Sequence, residues 1–192
     1  MQISIIGTGF IGSTLGRALA AAGHEVTFGS RRLDVDHIEG SAGRMASIGE
    51  AIDASDIVIL AIPGQAVSEL GKEYSSALAG KLVVDATNRM GDAVVNGRAG
   101  LPTNIRYARA FNTLGGENFA NPGFRDGIAD LFFSAPAGDR AVLEEIIRGV
   151  GLGPVYAGED REELIDALFV LWIELAMKQG RGRHLALKLL QD

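Results

Sequence analysis

Three glycines with the spacing Gly7-x-Gly9-x-x-Gly12 stand between an apolar run, Ile3-Ser4-Ile5-Ile6, and a helix-forming stretch from Ser13 to Ala22. That order predicts strand, tight turn, helix. Each glycine answers a separate physical need. Gly7 permits the sharp turn, Gly9 lets a pyrophosphate approach the backbone, and Gly12 lets helix and strand pack closely. Thr8, Phe10 and Ile11 complete a candidate cofactor-binding turn. The start of the helix offers unpaired N–H groups and the positive end of its dipole to an anion. In a chain with 26 glycines the spacing alone is weak. The strand before it, the helix after it and a second strand next are the context in which it signals dinucleotide binding.

The first helix is expected to end at Gly23, and Val26-Thr27-Phe28 to form the second strand, stopping at Gly29-Ser30-Arg31-Arg32. In dinucleotide folds the tip of this strand reaches the adenosine ribose. A carboxylate about 20 residues past the glycines selects NAD, and an arginine accommodates the extra phosphate of NADP. No acid occurs here before Asp34. Ser30 can donate to the 2′-phosphate, and Arg31 and Arg32 can bind it through charge-assisted contacts. The expectation is therefore NADP(H).

Residues 34–39 suggest a short helix, 44–46 a short third strand and 48–54 one or two helical turns. Ile57 to Ile62 is a continuous apolar run, as a buried parallel strand requires, and Pro63-Gly64 ends it. With Ala61 and Ile62, Pro63 is a candidate for lining the cofactor crevice. A helix is expected from about Ala66 to Leu78, then a buried strand from Lys81 to Ala86 ending at Thr87-Asn88. Residues 89–103 have little periodicity and read as a candidate lid or, alternatively, an insertion. Strands are expected at 105–111, 129–135 and 155–157, and an amphipathic helix at 139–150. By the switch-point rule, residues at the carboxyl ends of the strands line the crevice. Asn88, Asn112 and Thr113 are thereby candidates for hydrogen bonds to the reacting rings; capping of the strand ends is their other reading.

Alternating strands and helices predict an α/β class: a doubly wound Rossmann fold with a mainly parallel sheet. The expected organisation is a dinucleotide-binding domain at 1–160 followed by C-terminal helices at 161–192. From Ala167 to Met177 Glu174 is the only charge, and a helix apolar all round must be covered all round. A homodimer is expected to supply part of that cover. Arg183 to Leu190 is read as a further short amphipathic helix.

A net charge of −6 argues against general nucleic-acid binding. The absence of cysteine excludes thiolate catalysis and disulfides, and the three histidines lack metal-ligand spacing, so no metal site is expected. No apolar run has the length of a membrane span, and Met1-Gln2 leads directly into the first strand; a cytoplasmic protein without membrane partners is expected.

The pattern Gly7-Thr8-Gly9-Phe10-Ile11-Gly12, Gly29-Ser30-Arg31-Arg32, Ala61-Ile62-Pro63 and Ala110-Phe111-Asn112-Thr113 resembles the deazaflavin (coenzyme F420)-dependent NADP oxidoreductases. It is also similar to the NADPH-binding domain of the six-transmembrane metalloreductases. The resemblance implies a Rossmann domain, NADP(H), and hydride exchange with a deazaflavin or flavin-like ring as second substrate. Two positions depart from the deazaflavin enzymes: Gly64 stands where an aromatic residue often follows Ile-Pro, and Asn112 where a histidine often stands. Hydride transfer between bound rings needs little acid–base machinery, since the cofactor carries the chemistry. Two rival readings remain: an NADPH-dependent reductase of a small imine or carbonyl, or of ferric iron through flavin, and a non-catalytic NADP-binding sensor. The imine or carbonyl chemistry needs a proton donor, for which Lys178 is the candidate in the C-terminal block.

Overall fold

A computed structural model describes residues 1–32, 43–88 and 96–190. The short helix expected at 34–39 and residues 89–95 of the candidate lid lie outside the described residues.

The β-branched and leucine-rich runs form the centre of an eight-stranded sheet. In chain order its strands are β1 (Gln2–Ile6), β2 (Glu25–Gly29), β3 (Arg44–Ala46), β4 (Ile57–Leu60), β5 (Leu82–Asp85), β6 (Arg106–Arg109), β9 (Asp130–Ser134) and β10 (Gly153–Gly158), and their spatial order is β10-β9-β6-β5-β4-β1-β2-β3. β1 to β6 are parallel; β9 pairs antiparallel to β6, and β10 runs parallel to β9. A separate hairpin joins β7 (Gly123–Phe124) and β8 (Gly127–Ile128).

Successive side chains of a strand point to opposite faces, so each apolar run feeds two cores. Ile3, Ile5, Ile57, Ile59 and Val84 pack on one face with Leu15 and Leu19 of α1 (Phe10–Ala21) and Leu143, Ile146 and Ile147 of α6 (Arg140–Gly149). Ile6, Val58, Leu60 and Val83 pack on the other with α2 (Ile48–Asp53), α3 (Val67–Glu73) and α4 (Ser75–Leu78). Burial on both faces explains why these runs are continuous rather than alternating. The doubly wound α/β fold is as the sequence predicts.

The long helix expected from Ala66 to Leu78 is divided: a 3-10 turn at Gly64–Ala66 leads into α3, and Tyr74 (φ −109°, ψ 23°) separates α3 from α4. The four-residue α5 (Glu117–Ala120) and the hairpin occupy what reads in sequence as a featureless connection.

The C-terminal block contains α7 (Glu162–Ile173), which runs on into a π turn at Glu174–Lys178. The helix expected at 183–190 is not formed, and this corrects the sequence expectation. Gly180 (φ +69°) and Gly182 (φ +87°) turn the chain, after which its backbone groups find distant partners. Leu187 O accepts from Asp130 N (3.2 Å), Leu185 O from Trp172 Nε1 (2.8 Å) and Arg183 O from Asn118 Nδ2 (3.2 Å), while Leu189 N donates to Asp130 Oδ2 (2.7 Å). These contacts replace the i to i−4 bonds a helix would make.

Candidate functional site

The parallel strands end in register. Ile6 pairs with Gly29 and with Leu60, Leu60 with Asp85, and Asp85 with Arg109. The residues that follow, Gly7, Ser30, Ala61, Ala86 and Ala110, therefore line one edge of the sheet. β1 sits between β2 and β4, where the strand order reverses. That reversal opens the crevice in which doubly wound folds bind ligands.

The glycine turn is built as its spacing predicts. Gly7 has φ +111°, and a Cβ there would lie 2.4 Å from Ala61 O; a Cβ on Gly12 would lie 2.1 Å from Gly7 O. Both positions are thus closed to any side chain. Gly9 is different: a Cβ there would meet nothing within 4 Å. Its side faces open space at the start of α1, whose N-terminus has no side-chain cap and no acid in its first turn. An uncapped N-terminus beside open space suits a phosphate group. Phe10 is exposed, and Thr8 and Ile11 are partly so.

At the tip of β2, Ser30 Oγ accepts from Arg32 N (3.1 Å), and Arg31 and Arg32 are exposed. Arg31 borders a cavity of about 370 Å³ shared with Ile62, Pro63 and Tyr74, and Glu69 and Glu73 also line it. The fold thus brings the glycine turn, Ser30-Arg31-Arg32 and Ala61-Ile62-Pro63 to the same edge. A larger cleft of about 440 Å³, lined by Gln2, His24, Glu25 and Arg44, lies at the opposite, amino-terminal end of the strands.

The other half of the edge is organised around a residue that did not stand out in sequence. Arg109, the last residue of β6, is fully buried. Its Nε and Nη2 donate to Asp166 Oδ1 of α7 (2.9 and 2.7 Å), and its Nη1 donates to the carbonyls of Asp85 (3.2 Å) and Thr87 and lies 3.4 Å from Asp85 Oδ1. Asn88 Oδ1 accepts from Nη2 (3.3 Å), and Asn88 Nδ2 donates to Asn112 O (3.4 Å). The hydrogen-bond pattern assigns the Asn112 amide with its oxygen toward Arg109, 3.3 Å from Nε and 3.1 Å from Nη2. Asn112 can reach back because Phe111 adopts φ +63°, a left-handed turn that is uncommon for a large side chain. Asn112 and Thr113 are each 1% exposed.

Asp85 is satisfied on every side: its Oδ1 accepts from Thr87 N (2.9 Å) and its Oδ2 from Gly97 N (2.6 Å) and Tyr107 Oη (2.7 Å). Burial, and then the Asp85 charge, push the Tyr107 phenol far above its ordinary value. Asp166 Oδ2 accepts from Asn96 Nδ2 (2.8 Å). The described part of the expected lid is therefore bound to the body. Gly100 packs on Ser68 of α3, and Arg98 Nη1 is 3.6 Å from Glu162 Oε1 of α7. The segment after Asn112 crosses the start of α1, where a Cβ on Gly116 would strike Phe10 and Ile11. It is tied to the C-terminal segment by Arg183 and Glu117 (2.6 Å), a contact that holds the Glu117 carboxyl below the usual range.

A glycine turn at the switch point of a doubly wound parallel sheet defines a Rossmann domain of the dinucleotide-binding type. Residues 2–89 match the family described as NADP oxidoreductases, coenzyme F420-dependent, which supports NADP as the dinucleotide and oxidoreductase as the class. Among solved structures, the chain is similar over its whole length to all of a protein from Arthrobacter sp. FB24 provisionally described as an F420-dependent NADP reductase (22% identity, TM-score 0.80). It is similar over its whole length to 96% of a hypothetical protein of Sinorhizobium meliloti (26% identity, TM-score 0.70). A Streptomyces aurantiacus imine reductase matches 89% of this chain over 60% of its own (19% identity, TM-score 0.67). Among the described residues no helix is long and apolar enough to cross a membrane.

Proposed function

We propose that the protein is an NADP(H)-dependent oxidoreductase that passes a hydride between the nicotinamide and a deazaflavin or flavin-like ring. The observation that carries this reading is the joining, on one sheet edge, of an open glycine turn with Ser30, Arg31 and Arg32 in place of a carboxylate. In this reading residues 7–12 hold the pyrophosphate through backbone N–H groups and the α1 dipole. Ser30, Arg31 and Arg32 receive the 2′-phosphate, and Ile62 and Pro63 flank the adenosine. Ala61 backs the glycine turn. The nicotinamide half falls to the ends of β4 to β6, where Asn88, Asn112 and Thr113 lie. The reduced dinucleotide, when bound, supplies the hydride. The chain's own residues fix the rings and exclude water.

The rival candidate donor, Lys178, is largely exposed and paired with Glu174 (3.0 Å), which supports direct hydride transfer over a proton-coupled imine or carbonyl reduction. The far side of α7 carries Leu164, Val170 and Leu171, each exposed by 43–55%. That stripe supports a homodimer, and a cytoplasmic setting suits such an enzyme.

The test is stopped-flow oxidation of stereospecifically deuterated NADPH with a deazaflavin, with free flavins and with small cyclic imines. Isotope-sensitive transfer to a deazaflavin or flavin is the expected result. Transfer only to imines would replace the acceptor, and tight NADPH binding without any turnover would leave a sensor.

A further inference from the structure

The guanidinium of Arg109 has five N–H donors in a fixed plane, and the groups around it are numerous enough to use them all. What they belong to is informative. Asp85 and Thr87 come from β5 and its end, Asn112 from the turn after β6, and Asp166 from α7, 57 positions further along the chain. The two carboxylates extend the set to Asn96 and Gly97. A buried ion cluster is a poor stabiliser compared with apolar packing, because desolvation offsets much of its attraction. Its distinctive property is directional: it fixes several backbones relative to one plane.

Those backbones lie at the ends of β5 and β6, where the reading above seats the nicotinamide. Two further groups there have hydrogen-bonding capacity to spare. Thr87 Oγ1 and Thr113 Oγ1 are buried, and among the described residues neither has a hydrogen-bond partner. Thr87 precedes Asn88 and Thr113 follows Asn112, so each unpartnered hydroxyl is next to a residue held by Arg109. Buried hydroxyls are usually paired, so two unpartnered ones side by side with residues held by Arg109 mark this end of the edge as unfinished without a further group.

We propose that Arg109 is the positioning residue of the nicotinamide half-site. Through Asp166 it makes helix α7 part of the device that orients Thr87, Asn88, Asn112 and Thr113. This inference rests on the NADP(H) reading above. It assigns Arg109 no contact with the cofactor; its effect passes through the residues it holds. A lysine cannot substitute, since its three donors radiate from one point and cannot span two carbonyls, a carboxylate and two amides.

The test uses Arg109→Lys, Asp166→Asn and Asn96→Ala, with Arg106→Gln as a control that loses an ion pair to Asp139 far from the edge. Two quantities are read: NADPH affinity by calorimetry, and the fluorescence lifetime of the bound reduced nicotinamide, which needs no acceptor. The adenosine half is untouched in all variants, so affinity is expected to stay within about threefold, under 1 kcal/mol. In Arg109→Lys and Asp166→Asn the lifetime is expected to fall toward that of free NADPH. Turnover should fall on the order of tenfold to a hundredfold, as for a ring displaced by an ångström or so. Arg106→Gln should change neither quantity. Asn96→Ala, which removes one donor to Asp166, should show the same trend at smaller size and remains informative if the charged variants do not fold. Variants that melt earlier yet keep the wild-type lifetime and turnover would overturn the proposal and leave Arg109 a structural brace. Wild type that does not bind NADPH would overturn both this inference and the reading beneath it.

Discussion

Arg109 and Asp166 meet inside the protein with Nε and Nη2 of one at 2.9 and 2.7 Å from Oδ1 of the other. β6 and α7 thereby share a charge pair where most such contacts are apolar. With Asp85 alongside, one buried cation faces two buried carboxylates, and backbone and side-chain donors satisfy the remaining oxygens.

Removing the cation should be costly. In Arg109→Met the two carboxylates remain buried without their counter-charge, and breaking such a pair costs about 3–5 kcal/mol. Asp166→Asn keeps the size and part of the hydrogen bonding and should cost less. Urea unfolding of both variants measures the difference. A loss under about 1 kcal/mol for Arg109→Met would mean that solvent reaches the cluster.

Arg31→Ala should weaken NADPH binding while leaving NADH nearly unchanged. A charge-assisted hydrogen bond is worth about 1.5–3 kcal/mol, which corresponds to roughly ten- to a hundredfold in affinity. Titration of both cofactors into both proteins gives the ratio. Equal binding of NADH and NADPH by the wild type would remove the assignment of NADP.

The glycine turn permits a sharper separation of fold from binding. Gly9→Ala adds a Cβ that touches nothing, at φ −70° and ψ −174°, which alanine adopts without strain. Its melting temperature should stay near wild type while NADPH affinity falls at least about tenfold, because the methyl occupies the side from which a phosphate would approach. Gly12→Ala places a Cβ 2.1 Å from Gly7 O and should lose about 1–3 kcal/mol of stability as well as binding. Normal NADPH affinity in Gly9→Ala would place the phosphates elsewhere.

The two halves of the edge differ in how far they were legible in the sequence. The glycine turn is local: strand, turn and helix are contiguous, and each glycine answers a constraint a few residues away. Ser30-Arg31-Arg32 was legible because the strand before it was. The Arg109 cluster is assembled from positions that are ordinary where they stand. Asp85 closes an apolar run, Arg109 alternates with Tyr107, and Asp166 lies among the first turns of a helix. Only the register of β5 with β6 and the return of α7 bring them together. The usable signal was a charge near the carboxyl end of each of two expected strands, Asp85 in a run expected to be buried and Arg109 in one whose residues alternate. Residues 183–190 misled for the converse reason, since their periodicity suits a helix while two left-handed glycines before them and distant partners keep them from forming one.

The dimer can be tested without disturbing the chain's own core. Trp172 is 2% exposed and donates to Leu185 O, so changing it would break intrachain packing. Leu171 and Val170 are 43% and 50% exposed on the same helix. Sedimentation of the wild type should give twice the mass of one chain, and Leu171→Glu should give one, with an unchanged melting curve at low concentration. A wild type that stays monomeric at high concentration removes the dimer.

Tyr107 makes stability fall at alkaline pH. A tyrosine in the unfolded chain ionises near pH 10, whereas burial and then the Asp85 charge hold the folded phenol protonated well above that. Above about pH 10 the unfolded state therefore binds fewer protons than the folded state, and the free energy of unfolding decreases as pH rises. The contribution is fully present below pH 10 and is lost progressively above it, at up to about 1.4 kcal/mol per pH unit for one group. Tyr107→Phe has no proton to release. It should cost about 1.5–3 kcal/mol near neutral pH, because Asp85 Oδ2 loses the phenolic donor and keeps Gly97 N, and its stability should then fall less steeply than wild type above pH 10. Urea unfolding of both proteins from pH 7 to 11 tests this. Parallel curves across that range would show that the phenol ionises in the folded protein as it does in water.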